Sequence, residues 1–266
     1  MLELEDFGKS LLDAGDLDPV YVLLWNAELD RETTKKWLLA YWAFYHVGTA
    51  SWITEQADYW RAFGAAARSK EYPRSPERRH FRGENAIKAT AYLAAVGVDD
   101  LFAEFERMDC ESGEGGIPLA DVLEYVQEWV GFGPWISFKV ADMLERLNIC
   151  RIRFDTAAVA LFDSPADGAR LARERYDAER IDGQPDGDWA IERILEVLGD
   201  TLAPPRYERR INAQEAETIL CKWKSHAGGH YEVGEDIKAC RAGLLRYPRC
   251  KLSQRLLKAG VVGGLW

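Results

Sequence analysis

Four short stretches hold most of the residues able to do chemistry. The first is the basic run Tyr72-Pro73-Arg74-Ser75-Pro76-Glu77-Arg78-Arg79-His80-Phe81-Arg82-Gly83. Two prolines and a closing glycine make it a loop. Arg78, Arg79 and Arg82 carry permanent charge and a planar donor fork that fits a phosphate or pyrophosphate, with His80 among them. A solvated loop of surface ion pairs is the competing reading. The second stretch is Gly131-Phe132-Gly133, a two-glycine turn that reverses the chain and leaves backbone amides at a helix N-terminus, where an anionic phosphodiester can bind. The third is Asp155, about twenty residues beyond the turn and just after the apolar run Ile152-Arg153-Phe154; it either caps the next helix or faces a site. The fourth is Cys221-Lys222-Trp223-Lys224-Ser225-His226-Ala227-Gly228-Gly229-His230-Tyr231. Its cysteine and two histidines match no structural zinc spacing, so no metal is expected, and Lys222, Lys224, His226 and His230 read instead as an anion-facing or substrate-facing loop.

The elements that would hold these residues are helical nearly throughout. A first core helix is read at Pro19–Leu29. Asp30 then caps a helix at Thr33–His46, where Trp37, Tyr41, Phe44 and Tyr45 fall on one face. His46 ends that helix, as a cap, a packed ring or a catalytic base. One helix is expected over Ala50–Ala67, and others at Glu84–Ala95, Asp99–Arg107 and Ala157–Phe162. A glycine-rich connector occupies Glu111–Gly116, and a polar surface loop Asp177–Asp188, with Asp188 capping Trp189–Leu198. Asn212 opens a helix whose apolar side is Ala216, Ile219, Leu220 and Trp223. Around the turn, an apolar-periodic helix runs in from Leu119 to Trp129 and another runs out through Val140, Met143, Leu144 and Leu147. Helix, Gly-x-Gly, helix is the arrangement of a helix-hairpin-helix element.

At 266 residues the chain has ample material for a core. The formal net charge of −10 is unhelpful for nucleic acid, but acids crowd the first thirty residues and 99–128, whereas bases gather at Arg74–Lys88 and Arg206–Lys258. Such polarity is compatible with a basic face. Five cysteines without a Cys-x-x-Cys pair favour free thiols in a reducing compartment and argue against an iron–sulfur cluster. No apolar run approaches a membrane span, so no membrane partner and a cytoplasmic location are expected.

Gly131-Phe132-Gly133-Pro134-Trp135 followed by Asp155-Thr156 resembles the hairpin-plus-aspartate segment of the DNA glycosylase superfamily. The resemblance implies an all-α, two-lobed helix-hairpin-helix glycosylase-like fold. In such a fold Gly131, Phe132, Gly133, Trp135 and Lys139 contact DNA and Asp155 points at a flipped base. Bifunctional members carry a lysine where this chain has Trp135, so lyase chemistry is not implied. The corresponding organisation is an N-terminal segment, 1–30, packed with the C-terminal lobe, a helical barrel lobe, 31–150, containing the hairpin at 119–149, and a C-terminal helical lobe, 151–266.

A narrower resemblance covers residues 42 to 226. It is carried by Trp42-Ala43-Phe44-Tyr45-His46-Val47-Gly48-Thr49-Ala50, Glu77-Arg78-Arg79-His80-Phe81-Arg82-Gly83, the hairpin, Phe154-Asp155, and Glu217-Thr218-Ile219-Leu220-Cys221-Lys222-Trp223-Lys224-Ser225-His226. These are similar to the phage amino acid:DNA transferases, also described as alpha-glutamyl/putrescinyl-thymine pyrophosphorylases. The implied reaction joins the amine of an amino acid to the 5-methylene carbon of 5-pyrophosphoryloxymethyl-deoxyuridine in double-stranded DNA and releases pyrophosphate. The implied co-substrate is a free, glycine-like amino acid, with no cofactor built into the fold, and the implied setting is the cytoplasm of an infected bacterium. Asp155, His46 or His80 would act as general base, or Asp155 as a charge stabiliser. Arg78, Arg79, Arg82, Lys222, Lys224, His226 and His230 would hold the pyrophosphate or substrate. Two other classes stay open at this stage: a monofunctional glycosylase acting on a modified or damaged base, and a non-catalytic hairpin DNA-binding protein.

Overall fold

The computed structural model describes residues 2–154, 162–176 and 184–266. Fourteen helices form within them. In chain order these are α1 (Leu4–Asp13), α2 (Pro19–Ala27), α3 (Arg31–Phe44), α4 (Val47–Glu55), α5 (Tyr59–Arg68), α6 (Gly83–Val96) and α7 (Val98–Glu111). They continue with α8 (Leu119–Gln127), α9 (Pro134–Arg146), α10 (Asp163–Arg175), α11 (Asp186–Leu198), α12 (Ala213–Ala227), α13 (Glu235–Leu245) and α14 (Lys251–Val262). The protein is all-α; the described strands are two residues long, and the Ile117 amide donates to the Arg151 carbonyl at 2.7 Å where they begin.

The chain divides into two compact units, residues 1–19 with 153–237 and 265, and residues 20–152 with 238–264 and 266. In the first, α1, α10, α11 and α12 enclose a core of Phe7, Leu11, Ile191, Ile194, Ile219, Leu220 and Trp223. Asn212 starts α12 as expected, in a capping box with Glu215. Buried Asp16 accepts from the amides of Gly234 (2.6 Å) and Ile237 (2.9 Å), so its carboxylate covers the positive end of α13.

In the second unit Asp30 caps α3 through the Thr33 amide, 2.9 Å away. The aromatic stripe read on this helix is buried, with Trp37 stacked on Tyr41 at 4.9 Å. Trp42, on the adjoining face, stacks on Phe102 at 5.6 Å and sits 6.4 Å from Trp129. These rings join α3, α7 and the end of α8 in one apolar layer, so the hairpin is anchored from behind.

Two expected boundaries are corrected. The single helix read over 50–67 is two, α4 and α5, because Asp58 caps a new helix by accepting from the Arg61 amide at 3.0 Å. The helix expected to start at Trp189 begins a turn earlier, after Pro185, so Asp188 lies in its first turn and favours the helix dipole there rather than capping. Asp155 and most of the helix expected at 157–162 fall outside the described residues.

Gly48 on α4 lies where a Cβ would meet the Gly243 carbonyl oxygen at 2.0 Å and the Tyr247 ring at 2.7 Å. Only a glycine allows that approach to α13. Gly48→Ala is therefore expected to cost roughly 1–3 kcal/mol of stability, seen as a lower urea midpoint at unchanged slope. An unshifted midpoint would show that the two helices move apart freely.

Candidate functional site

The basic loop of the second unit is built from its arginines inward. Residues Pro76–Arg78 form one 3-10 turn, which sends Arg78 into the protein and leaves Arg79, His80 and Arg82 exposed. Arg74 organises the preceding bend: its Nη1 donates to the Phe81 carbonyl, and its Nη2 to those of Ala66 (2.9 Å) and Ser69 (3.1 Å). Its guanidinium lies over the Phe44 ring, and burial followed by the nearby Arg82 charge depresses its pKa. The Ser75 amide donates to the Phe44 carbonyl at 3.1 Å, tying the loop to the end of α3.

Arg78 is 7 % exposed. Its Nε donates to the Ala43 carbonyl at 3.1 Å and its Nη1 to the Gly131 carbonyl at 3.2 Å. The guanidinium sits 5.0 Å from the ring centres of both Phe81 and Phe132. Nη2 is buried without a hydrogen-bond partner. Desolvation pulls the pKa down to about 10, so the group stays charged at neutral pH.

Gly131 has φ +84°, the left-handed backbone that a tight reversal needs, and its carbonyl turns toward Arg78. The Phe132 amide donates to the Trp129 carbonyl at 3.0 Å and closes the turn. Gly133 is the N-cap of α9 and has no side chain to satisfy the first amides, while Pro134 at N1 has none to satisfy. The amides of Trp135 and Ile136 are consequently at the helix's open positive end. Trp135 is half-buried with its ring edge-on to Tyr45 at 4.9 Å, and Tyr45 is itself left-handed, φ 49°, as the cap of α3. Phe132 is buried and packs on Trp129 at 5.3 Å rather than projecting outward. Lys139 is buried too, 3.6 Å from the carboxylate of Asp142, which also accepts from Tyr21.

His46 serves as the N-cap of α4. Its Nδ1 accepts from the Thr49 amide at 3.1 Å, which places the ring proton on Nε2. Burial, then the positive charge of Arg246, lowers its pKa to about 4. His46 is thus a neutral structural ring, and the base role expected of it is not what this hydrogen bonding favours. The Thr49 hydroxyl bonds the Pro73 carbonyl at 2.8 Å, so the cap also steadies the entry to the basic loop.

The residues expected to bind substrate in the first unit have partners there. Lys222 pairs with Asp236 at 2.6 Å and donates to the Asp16 carbonyl and the Tyr231 hydroxyl. Lys224 pairs with Asp167 at 3.0 Å. His226 stacks on Phe7 at 4.6 Å, with Nε2 accepting from the Leu2 amide and Nδ1 facing the Tyr231 carbonyl. His230 is exposed. Among the described residues no group of three or more His, Cys, Asp or Glu side chains is placed to hold a metal ion, and no described helix is long and apolar enough to cross a membrane.

The basic loop gathers several arginines without acid partners among the described residues in one short segment. Elsewhere several arginines meet acids, as Arg31 with Glu106 at 2.7 Å, Arg151 with Asp109 at 3.0 Å and Arg193 with Glu5 at 2.6 Å, while Arg246 and Arg255 bond backbone carbonyls. Arg74, Arg78, Arg79 and Arg82 meet no carboxylate among the described residues, and only backbone carbonyls satisfy the first three. These four arginines, one of them bonded to the turn before α9, are the candidate site for an anion in a protein of net charge −10. The chain belongs to the amino acid:DNA transferase family, whose model matches residues 10–231. It is 36% identical to a glycinyltransferase of Pseudomonas phage PaMx11, over 95% of this chain and 93% of that protein. It is 26% identical to a putrescinyltransferase of Delftia phage PhiW-14, over 91% of this chain and 78% of that one.

Two outcomes follow from the geometry. In unfolded chain His46 titrates near 6.5 and in the fold near 4, so its contribution to stability is complete above about pH 6.5. That contribution is lost as pH falls toward 4, by up to roughly 3 kcal/mol. Urea titrations at pH 7 and pH 4.5 should show a slope with pH that is reduced in His46→Gln; an equal slope in both proteins contradicts the assignment. Gly131→Ala forces a side chain into left-handed backbone and should cost about 1–2 kcal/mol, with reduced affinity for duplex DNA by fluorescence anisotropy. Unchanged affinity would detach the turn from DNA binding.

Proposed function

We propose that this protein attaches the amine of an amino acid to the 5-methylene carbon of 5-pyrophosphoryloxymethyl-deoxyuridine in double-stranded phage DNA, releasing pyrophosphate. The observation that carries the reading is the set of arginines at 74–82 with no acid partner among the described residues, fastened to the turn before α9. A departing pyrophosphate gathers negative charge, and preformed cations stabilise it without reorganisation. The hairpin is read as the DNA grip of a glycosylase-derived, helix-hairpin-helix fold. Its amides hold the backbone while the modified base leaves the stack and lies against Trp135 or Tyr45.

The step balances simply. The amine nitrogen forms a bond to the exocyclic carbon as the carbon–oxygen bond breaks, and the electron pair leaves with pyrophosphate. Exposed Arg79 and Arg82 meet that leaving group. The amine loses one proton, taken by Asp155 or His80; alternatively Asp155 stabilises positive charge on the base as pyrophosphate departs. Glycine is the proposed co-substrate, because the relative with 36% identity is a glycinyltransferase.

The test is a duplex oligonucleotide carrying 5-pyrophosphoryloxymethyl-uracil, incubated with mixed amino acids, digested to nucleosides and read by mass spectrometry. A glycine-bearing thymidine derivative with equimolar pyrophosphate is expected. Abasic sites would replace the reading with a glycosylase, and unaltered DNA with a binding protein. The double variant Arg79→Ala/Arg82→Ala should lose roughly 10²-fold or more in turnover with an unchanged melting temperature. Full turnover would remove these two residues from the leaving-group site.

A further inference from the structure

Arg78 stands next to Arg79 in sequence, yet the two are placed for different tasks. A guanidinium that grips a phosphate presents a free edge of paired N–H groups. Arg78 has spent Nε on Ala43 and Nη1 on Gly131, one donor on each edge of the fork, and is closed in by Phe81 and Phe132. Arg79 is exposed, with one long bond to the Pro76 carbonyl, and Arg82 is exposed with its side chain uninvolved in capping α6.

Burying a cation without an acid is costly unless something else compensates it. Ala43 lies in the last turn of α3, so its carbonyl carries the partial negative charge of a helix C-terminus. The Gly131 carbonyl is turned inward by the left-handed reversal and has no helix of its own to serve. One cation thus bonds two carbonyls from segments 88 positions apart, with two aromatic rings 5.0 Å away and Nη2 buried without a hydrogen-bond partner. Lysine cannot span both carbonyls at fixed angles.

We infer that Arg78 is a positioning residue for the transfer reaction. It locks the turn at 129–133 onto the end of α3. In doing so it sets Trp135 against Tyr45 and fixes the loop that carries exposed Arg79 and Arg82. Touching neither pyrophosphate nor base, it controls their placement through the turn. This assignment rests on the proposed function for its kinetic consequence only; the structural consequence is independent of it.

Two measurements on the full-length protein test it. Amide hydrogen exchange across 129–137 should quicken roughly tenfold in Arg78→Lys, far above any change in α11, because local opening of the turn becomes cheaper. With the pyrophosphorylated oligonucleotide, Arg78→Lys should lower kcat by about 10- to 100-fold while KM for the DNA stays within about threefold. The loss should be the same for a monophosphate leaving group as for pyrophosphate. A loss confined to the pyrophosphate substrate would make Arg78 a leaving-group ligand and overturn the inference. Unchanged exchange, or unchanged kcat in protein shown folded by circular dichroism, would overturn it as well. Should Arg78→Lys not fold, Phe132→Leu, which removes one of the two ring faces, carries the same expectations at smaller size. If wild-type protein shows no transfer, the proposed function fails, and the exchange result still decides whether Arg78 holds the turn.

Discussion

The second unit is organised around one buried guanidinium and the two backbone carbonyls it joins. Arg78 takes the last-turn carbonyl of Ala43 and the inverted carbonyl of Gly131, and no carboxylate among the described residues neutralises it. Because a carbonyl at a helix C-terminus lacks an intrahelical partner, the end of α3 is the one place on that helix where such a cation costs little. The rest follows from that placement. The loop must return to α3, so Ser75 bonds the Phe44 carbonyl and Arg74 covers the Phe44 ring. The turn must meet the buried guanidinium, so Phe132 points inward against Arg78.

An acidic protein that acts on DNA has to concentrate its attraction in one place. Most of the charge of −10 lies on acids that pair with nearby bases or face solvent, as in the Glu104–Arg107–Glu111 group. Such exposed pairs add little stability, but they engage some of the cations that would otherwise face phosphate. The loop at 74–82 and the open end of α9 are spared this pairing. On the proposed reading, bulk repulsion combined with a local cationic site favours a duplex presented in one orientation over indiscriminate contact.

Much of the architecture was legible in the sequence, for identifiable reasons. Asp30 before an aromatic-periodic run and Asn212 before an apolar one are cap-plus-face signals, and both helices start where those residues indicate. The break between α4 and α5 carries no glycine or proline, only Asp58, so periodicity ran through it. Helix α1 was hidden by its acids, although Leu4, Phe7 and Leu11 are buried at helical spacing. The basic loop was visible as a cluster, yet composition could not say that one 3-10 turn would bury Arg78 and expose its neighbours. Similarly, Lys222 looked like a phosphate ligand because Asp16 and Asp236, which hold it, lie 206 and 14 positions away. His46 is read from the sequence at the end of α3; that helix stops at Phe44, and His46 caps the start of α4 instead.

On the proposed reading, the loop and hairpin together serve a displacement at carbon in which pyrophosphate departs. The most direct test places oxygen-18 in the bridging position between the 5-methylene carbon and the first phosphorus of the DNA substrate. After transfer, the account predicts that all of the label leaves with pyrophosphate and that the modified nucleoside contains none. Label retained on the nucleoside would mean that the phosphorus, not the carbon, was attacked. In that case the arginines would be stabilising attack at phosphorus, and carbon would not be the reacting centre.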